Sequence, residues 1–104
     1  MGGKVLKRYS FYPIVSGLEF EFDPAKSAAN KAKHGIDFVE AQALWLDEAL
    51  IEAPARTDDE PRFLGVGRIG GRHWSAVCVG RGERTRIISV RRSRKEEIEA
   101  YEGA

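Results

Sequence analysis

The stretch from Asp23 to Gly35 constrains the fold most, because it carries its own start and its own stop. Asp23 is a good N-cap. Pro24 suits the first helical position, where its missing N–H costs nothing, and Gly35 can take the left-handed conformation that closes a helix. A short, fully delimited helix must therefore follow directly on Leu18-Glu19-Phe20-Glu21-Phe22, which alternates with the period of a strand. A second start signal comes at once. Asp37 can cap and Glu40 can reach back to it, ahead of Ala41, Ala43, Leu44 and Trp45, so two short helices in succession are expected.

The rest of the chain reads as mostly β. Ala49 to Ala53 is expected to be a strand and Pro54 to Pro61 an exposed acidic loop. Arg62 to Ile69 and Arg72 to Val79 form strands joined across Gly70-Gly71, a link suited to a tight hairpin. The chain turns again at Arg81-Gly82-Glu83. A last strand over Arg84 to Arg91 puts Arg86, Ile88 and Val90 on one face and Ile87, Ser89 and Arg91 on the other. Unless a bulge, a sharp twist or the strand end redirects one of them, Arg86 and Arg91 then point apart. Ser93 and Glu96 make a capping box for a final helix to about Tyr101. The order β-α-α-β-β-β-β-α predicts an α+β domain: a mainly antiparallel sheet with two short N-terminal helices and one C-terminal helix.

A chain of 104 residues encloses one core and has no room for two. No stretch approaches the roughly 18 apolar residues of a membrane span, which predicts a soluble protein. Cys78 is the lone cysteine, so no internal disulfide can form and the cytoplasm is the expected compartment. With one Cys, and with His34 and His73 far apart, zinc-site spacing is absent; neither a metal nor another cofactor is expected. Residues 1–17 lack the apolar core and cleavage site of a secretory signal and read as an amino-terminal extension, either a tail or an added edge segment. The domain proper is expected over 18–104.

The formal net charge of +1 conceals an uneven distribution. Arg81, Arg84, Arg86, Arg91, Arg92, Arg94 and Lys95 face only Glu83 in their stretch, while acids gather at Asp47 to Glu60 and Glu96 to Glu102. Such a stripe is either a solvated sheet face or a surface for an anionic partner, and charge does not choose between them. Lys33 and His34 are equally open: they complement the negative end of the helix dipole, or His34 transfers protons near neutral pH. Trp45 and Trp74, each beside apolar residues, are expected in the core rather than stacked on a base. Gly65, Gly67, Gly70 and Gly71 lie within or between strands, so they shape backbone and do not cradle phosphate.

One pattern spans nearly the whole chain. Phe20-Glu21-Phe22-Asp23-Pro24-x-Lys26-x-x-x-Asn30-x-x-Lys33-His34-Gly35-x-x-Phe38-x-x-Ala41 resembles the opening of the BrnT toxin family. Asp59-Glu60-Pro61-Arg62, Gly65, Gly71-Arg72 and Arg86-Ile87-Ile88-Ser89-Val90-Arg91, then Glu97 and Tyr101, follow in the family's order, so that the similarity covers about Leu18 to Glu102. Val90 and Ser93 stand where the family usually has alanine. The resemblance implies a RelE-like fold and an endoribonuclease toxin of a type II toxin–antitoxin system, neutralised by a BrnA-type antitoxin in a hetero-oligomer.

For such a nuclease to cut RNA without a metal, it needs a base for the 2′-OH, cations for the developing phosphorane charge and a proton source for the 5′-oxygen. Lys33 and His34 are the candidates for proton transfer, and Arg62, Arg86 and Arg91 for the phosphate, with Arg86 favoured as the mid-strand residue. Arg72, Arg81 and Arg92 are candidate RNA contacts. Glu97 and Tyr101, one helical turn apart, are candidates to support the arginines or to touch substrate. The alternative reading is a non-catalytic antitoxin-docking or nucleic-acid-binding module that acts as a co-repressor.

Overall fold

The pairing of alternating residues on β1 (Glu19–Glu21), β2 (Ile51–Ala55), β3 (Arg62–Ile69), β4 (Arg72–Arg81) and β5 (Arg84–Arg92) makes one sheet in the order β1-β5-β4-β3-β2. The structure, a computed structural model, describes residues 18–55 and 61–103; the amino-terminal extension and residues 56–60 of the expected loop lie outside the described residues. Only β1 runs parallel to its neighbour, β5. The β3–β4 hairpin closes at Ile69↔Arg72 across Gly70 and Gly71, whose φ angles of 59° and 86° are those a tight hairpin turn requires. With α1 (Pro24–His34), a 3₁₀ helix (Glu40–Leu46) and α2 (Lys95–Gly103), the fold is the expected α+β arrangement.

Helix α1 has the boundaries its caps dictate. Asp23 accepts a hydrogen bond from the Ala25 N–H at 2.9 Å, and Gly35, at φ 85°, donates its N–H back to the Lys31 carbonyl. Its buried residues are polar, Ser27 and Asn30. Ser27 Oγ accepts the Phe38 N–H at 2.9 Å. The Asn30 amide donates to the Ile36 carbonyl at 2.8 Å and the Val90 carbonyl at 2.9 Å, and accepts the Val90 N–H at 3.1 Å. Since β1 pairs with β5 only as far as Arg86, Val90 has no strand beside it there, and the Asn30 side chain takes that strand's place.

The reciprocal Asp37–Glu40 box forms, with the Glu40 N–H on Asp37 Oδ1 at 2.7 Å and the Asp37 N–H on Glu40 Oε1 at 2.9 Å. The helix behind it is 3₁₀ rather than α. Phe38, Ala41 and Leu44 are all fully buried, and a spacing of three keeps them on one stripe only with three residues per turn. They join Phe20, Phe22, Ile36, Trp74, Ala76, Cys78, Ile87 and Val90 in a core on one face of the sheet. Trp45 packs on Phe20 with ring centroids 4.9 Å apart, and a Cβ at Gly65 would come within 3.1 Å of the Trp45 ring. Both tryptophans thus belong to the core region.

Two element starts and one strand's register depart most from expectation. β2 begins two residues late and includes Pro54, which is tolerated because β2 is the outermost strand. α2 starts at Lys95, and its box is closed by Glu97, whose Oε1 accepts the Arg94 N–H at 2.9 Å. Ser93 instead bonds Ser75 Oγ at 2.7 Å, so the expected Ser93–Glu96 pair does not form. The largest departure is in β5: Cys78 pairs with Ile87 and Val77 with Ser89, leaving Ile88 unmatched in a β-bulge. Ile87 and Val90 consequently share the core face, at 2% and 0% exposure, although they lie an odd three positions apart. Arg86, Ser89 and Arg91 turn to the other face together.

Asn30→Ala should lower stability by about 3 kcal/mol, because it leaves buried backbone groups of Val90 and Ile36 without partners. Urea unfolding at constant m-value checks this, and Asn30→Asp, which keeps an acceptor but loses both donors, should recover little.

Candidate active site

The face opposite the core carries Arg62, Arg86 and Arg91. Arg62 and Leu64 from β3, Val77 from β4 and Arg91 from β5 share it, and with Pro54, Ala55, Arg94 and Glu97 they line a cleft of about 350 Å³. Arg94, not singled out from the sequence beyond its place in the basic stripe, reaches this cleft because β5 ends and α2 begins beside it.

Arg91 is held firmly. Its Nη1 and Nη2 donate to Glu97 Oε1 and Oε2, each at 2.9 Å, and Nη1 also reaches the Arg92 carbonyl at 3.2 Å. These bonds leave the Nε–H and a second Nη2–H, neighbours on one edge of the guanidinium, as a fork for an incoming anion. Glu97 additionally accepts the Ser75 hydroxyl at 2.8 Å and the Arg94 N–H. The Arg91 hydrogen bonds above all, with those from Arg94 and Ser75, outweigh burial and hold the Glu97 carboxyl at a pKa of about 2; Arg91 is raised in turn by its bond to Glu97. Glu97 is therefore an anion at any physiological pH. It is a clamp and a poor proton carrier.

Arg86 shares the face but is drawn to the opposite end of the strand. Its Nη1 lies 3.2 Å from Oε2 of Glu21, a carboxylate only 4% exposed that also lies 3.8 Å from Arg84. Arg91, rather than the mid-strand Arg86, therefore accompanies Arg62 along the cleft. Tyr101 does not form a supporting pair with Glu97 for the arginines. Its hydroxyl donates to Asp47 Oδ2 at 2.7 Å and its ring meets His73 edge-on at 5.3 Å, while His73 Nε2 bonds Glu102 at 2.7 Å. The Asp47 bond raises the Tyr101 pKa; burial pushes Asp47 up, but the bonds from Tyr101, the Ala49 N–H and the Arg68 N–H prevail and lower it. This group fastens α2 to the sheet.

Lys33 and His34 occupy the last turn of α1, Lys33 exposed and His34 half-buried. His34 lies one turn beyond Asn30 on the same stripe, and Asn30 is bonded to Val90, the residue before Arg91. Asn30 thus ties the middle of α1 to β5, while the helix end runs on to Gly35 on the core side, and among the described residues no hydrogen bond or ion pair joins Lys33 or His34 to Arg62, Arg86 or Arg91. Arg72 lies on the core side with Gly35, Ile36 and Trp74, and Arg92 stacks over Trp74 at 5.6 Å. Arg81 is exposed at the end of β4. Burial pushes the Cys78 thiol far up, which excludes it as a nucleophile.

The model of one family, the ribonuclease toxin BrnT of type II toxin–antitoxin systems, matches residues 22–97. The chain belongs to the BrnT family. No curated protein matches it. The matched span contains α1, the bulged strand and the start of α2 up to Glu97, so every wall of the arginine cleft lies within it. The five-stranded, mostly antiparallel sheet with its helices is consistent with a RelE-like fold, and membership in a type II system implies a cognate antitoxin as partner. No helix among the described residues is long and apolar enough to cross a membrane.

Because the Glu97 pKa is depressed from 4.5 to about 2, its contribution to stability is present above about pH 4.5 and is lost as pH falls towards 2. Glu97→Gln should cost roughly 1–3 kcal/mol at neutral pH and flatten the acid limb of the stability profile. Chemical denaturation of both proteins between neutral pH and pH 2 measures the difference; parallel acid limbs would assign the acid transition to other carboxylates.

Proposed function

We propose that this chain is a metal-independent endoribonuclease that cuts RNA by attack of a 2′-OH on the adjacent phosphorus. In this step the bond from the 2′-oxygen to phosphorus forms and the bond to the 5′-oxygen breaks, giving a 2′,3′-cyclic phosphate and a free 5′-OH. The 2′-OH gives its proton to a base and the departing 5′-oxygen takes one from an acid. Lys33 and His34 serve as that pair, and Arg62, Arg91 and Arg94 hold the phosphate while charge accumulates on it. Arg86 supports the same face from its pairing with Glu21.

The observation that carries this reading is the bulge at Ile88, which turns Arg91 to the face of Arg62 in a chain of the ribonuclease toxin family. Glu97 supports it by fixing the Arg91 fork before substrate arrives, so that less ordering is left for the transition state. Lys33 and His34 are assigned the proton transfer on their side-chain chemistry, with α1 tied to β5 through Asn30. A BrnA-type antitoxin neutralises the protein by covering the arginine face with acidic residues, forming a hetero-oligomer in the cytoplasm.

Purified, antitoxin-free protein should cleave RNA in EDTA and leave a cyclic phosphate end. Activity abolished by EDTA and restored by a divalent ion would reject the metal-free scheme. Arg91→Ala should lower the rate by about 10²-fold or more, and Arg91→Lys should not restore it, since an ammonium lacks the fork. His34→Ala should lower the rate about 10²-fold if it transfers a proton; an unchanged rate with about 1 kcal/mol lost stability would reduce it to a helix-dipole partner.

Co-expression with the product of the neighbouring gene should yield a complex that survives purification at low salt and weakens as salt rises. Separate elution of the two proteins under both conditions would remove the antitoxin from the arginine face.

A further inference from the structure

The arginine face extends well beyond the cleft. At its other end Arg81 and Arg84 lie directly opposite each other across the Gly82–Glu83 turn, a like-charge pair that costs stability unless something anionic sits between or above them. Arg84 is offset by Glu19 at 3.3 Å and by Glu21. Arg81 is exposed and, among the described residues, forms no ion pair. Glu83, in the turn itself, is also exposed. Between the two ends the same face presents Arg86 and Ser89, so Arg84, Arg86, Ser89 and Arg91 follow one line along β5, with Arg81 beside its start on β4 and Arg94 just past its end. Glu19, Glu21 and Glu97 are carboxylate partners on that line, and Arg81 pairs with none of them.

We propose that this line is a track for single-stranded RNA, with the scissile phosphate in the cleft at Arg62, Arg91 and Arg94 and a second, non-reacting phosphate held at Arg81. The inference rests on the ribonuclease reading and adds to it a substrate of minimum length. From Arg84 to Arg91 the strand rises roughly 20 Å at about 3.3 Å per residue, a span that a dinucleotide cannot bridge and a strand of several nucleotides can. The occupant is argued from charge and shape. Guanidinium groups set at intervals, exposed at Arg81 and Arg94 and half-buried between them, match a chain of evenly spaced phosphates, and binding energy gathered at Arg81 is remote from the chemistry and raises affinity without touching the reacting atoms.

The test uses a 2′-O-methyl RNA strand of about eight nucleotides, a typical footprint for a small single-strand binder, which binds without being cut, alongside the matching dinucleotide. Fluorescence anisotropy is read across a salt series for wild type, Arg81→Ala and Lys26→Ala, the last a surface charge control on the first turn of α1. Arg81→Ala should weaken the longer strand severalfold, reduce the slope of log affinity against log salt by about 0.7, and leave the dinucleotide unaffected, while Lys26→Ala changes neither. Equal binding of the long strand by wild type and Arg81→Ala, or equal loss for both ligands, overturns the track. So does an Arg81→Ala protein that binds RNA normally but loses its antitoxin, since the far end of the face would then belong to the protein partner. Failure of the nuclease reading shows differently: the unmodified strand is bound with the same Arg81 dependence but never cleaved.

Discussion

The unmatched residue in β5 sets the geometry of everything that follows it. A regular strand alternates faces, so residues five apart, such as Arg86 and Arg91, emerge on opposite sides. Ile88 interrupts the alternation, and the strand beyond it is re-phased: Val90 drops into the core beside Ile87, and Arg91 joins Arg86 and Arg62 on the other face. The bulge sacrifices one step of the β4–β5 ladder. In exchange, the sheet buries both apolar residues and gathers cations that would otherwise be divided between core and solvent. Without it, Arg91 would have to enter the apolar side occupied by Phe20, Leu44 and Trp74.

Re-phasing also fixes how the helices attach. β1 stops at the Arg86 register, and the outward backbone groups of Val90 are met by the Asn30 amide, which couples α1 to the same stretch of strand that carries Arg91. On the other side, Glu97 reaches from α2 to Arg91, Ser75 and its own helix start. Both helices are therefore joined to β5 by directional bonds rather than by broad apolar faces: α1 buries Ser27 and Asn30, and α2 buries Tyr101. Directional bonds fix an angle and a register in a way that apolar contact does not, at the cost of leaving buried polar groups exposed to large penalties if one partner is lost.

Much of this was legible along the chain, for reasons that differ by element. Helix α1, the β3–β4 hairpin and the starts of β3 and β5 are fixed by local chemistry, namely Asp23, Pro24, Gly35, Gly70-Gly71 and strict alternation, and they fall where those residues put them. The 3₁₀ helix was read only as a helix, because its distinguishing mark, burial of Phe38, Ala41 and Leu44 at a spacing of three, depends on the sheet they face. Glu96 and Glu97 both suit a capping box, and the choice between them is made by Arg91, which is distant in neither sequence nor space but is invisible to a helix-start rule. The bulge left one trace, the adjacent Ile87 and Ile88 in an otherwise alternating strand. Asn30 left a weaker one, an amide in the middle of a helix poor in apolar residues. Arg94 left none beyond its charge.

The site carries a tension between concentrating cations and keeping them folded. Arginines on one face repel, and the sheet answers with carboxylates placed one per neighbourhood: Glu21 at Arg84 and Arg86, Glu97 at Arg91. Glu21 and Glu97 are 4% and 12% exposed, low enough that water screens their attraction little, so each pair is held in one geometry. Pairing does not exhaust an arginine, however, because a bidentate carboxylate takes only two of the five guanidinium N–H groups. Glu97 can therefore neutralise Arg91 for folding and still leave its Nε–H and one Nη2–H outside that pairing, while charge not paired with a carboxylate remains at Arg81. A fold that balanced each arginine completely would be more stable and would have no face for an anion.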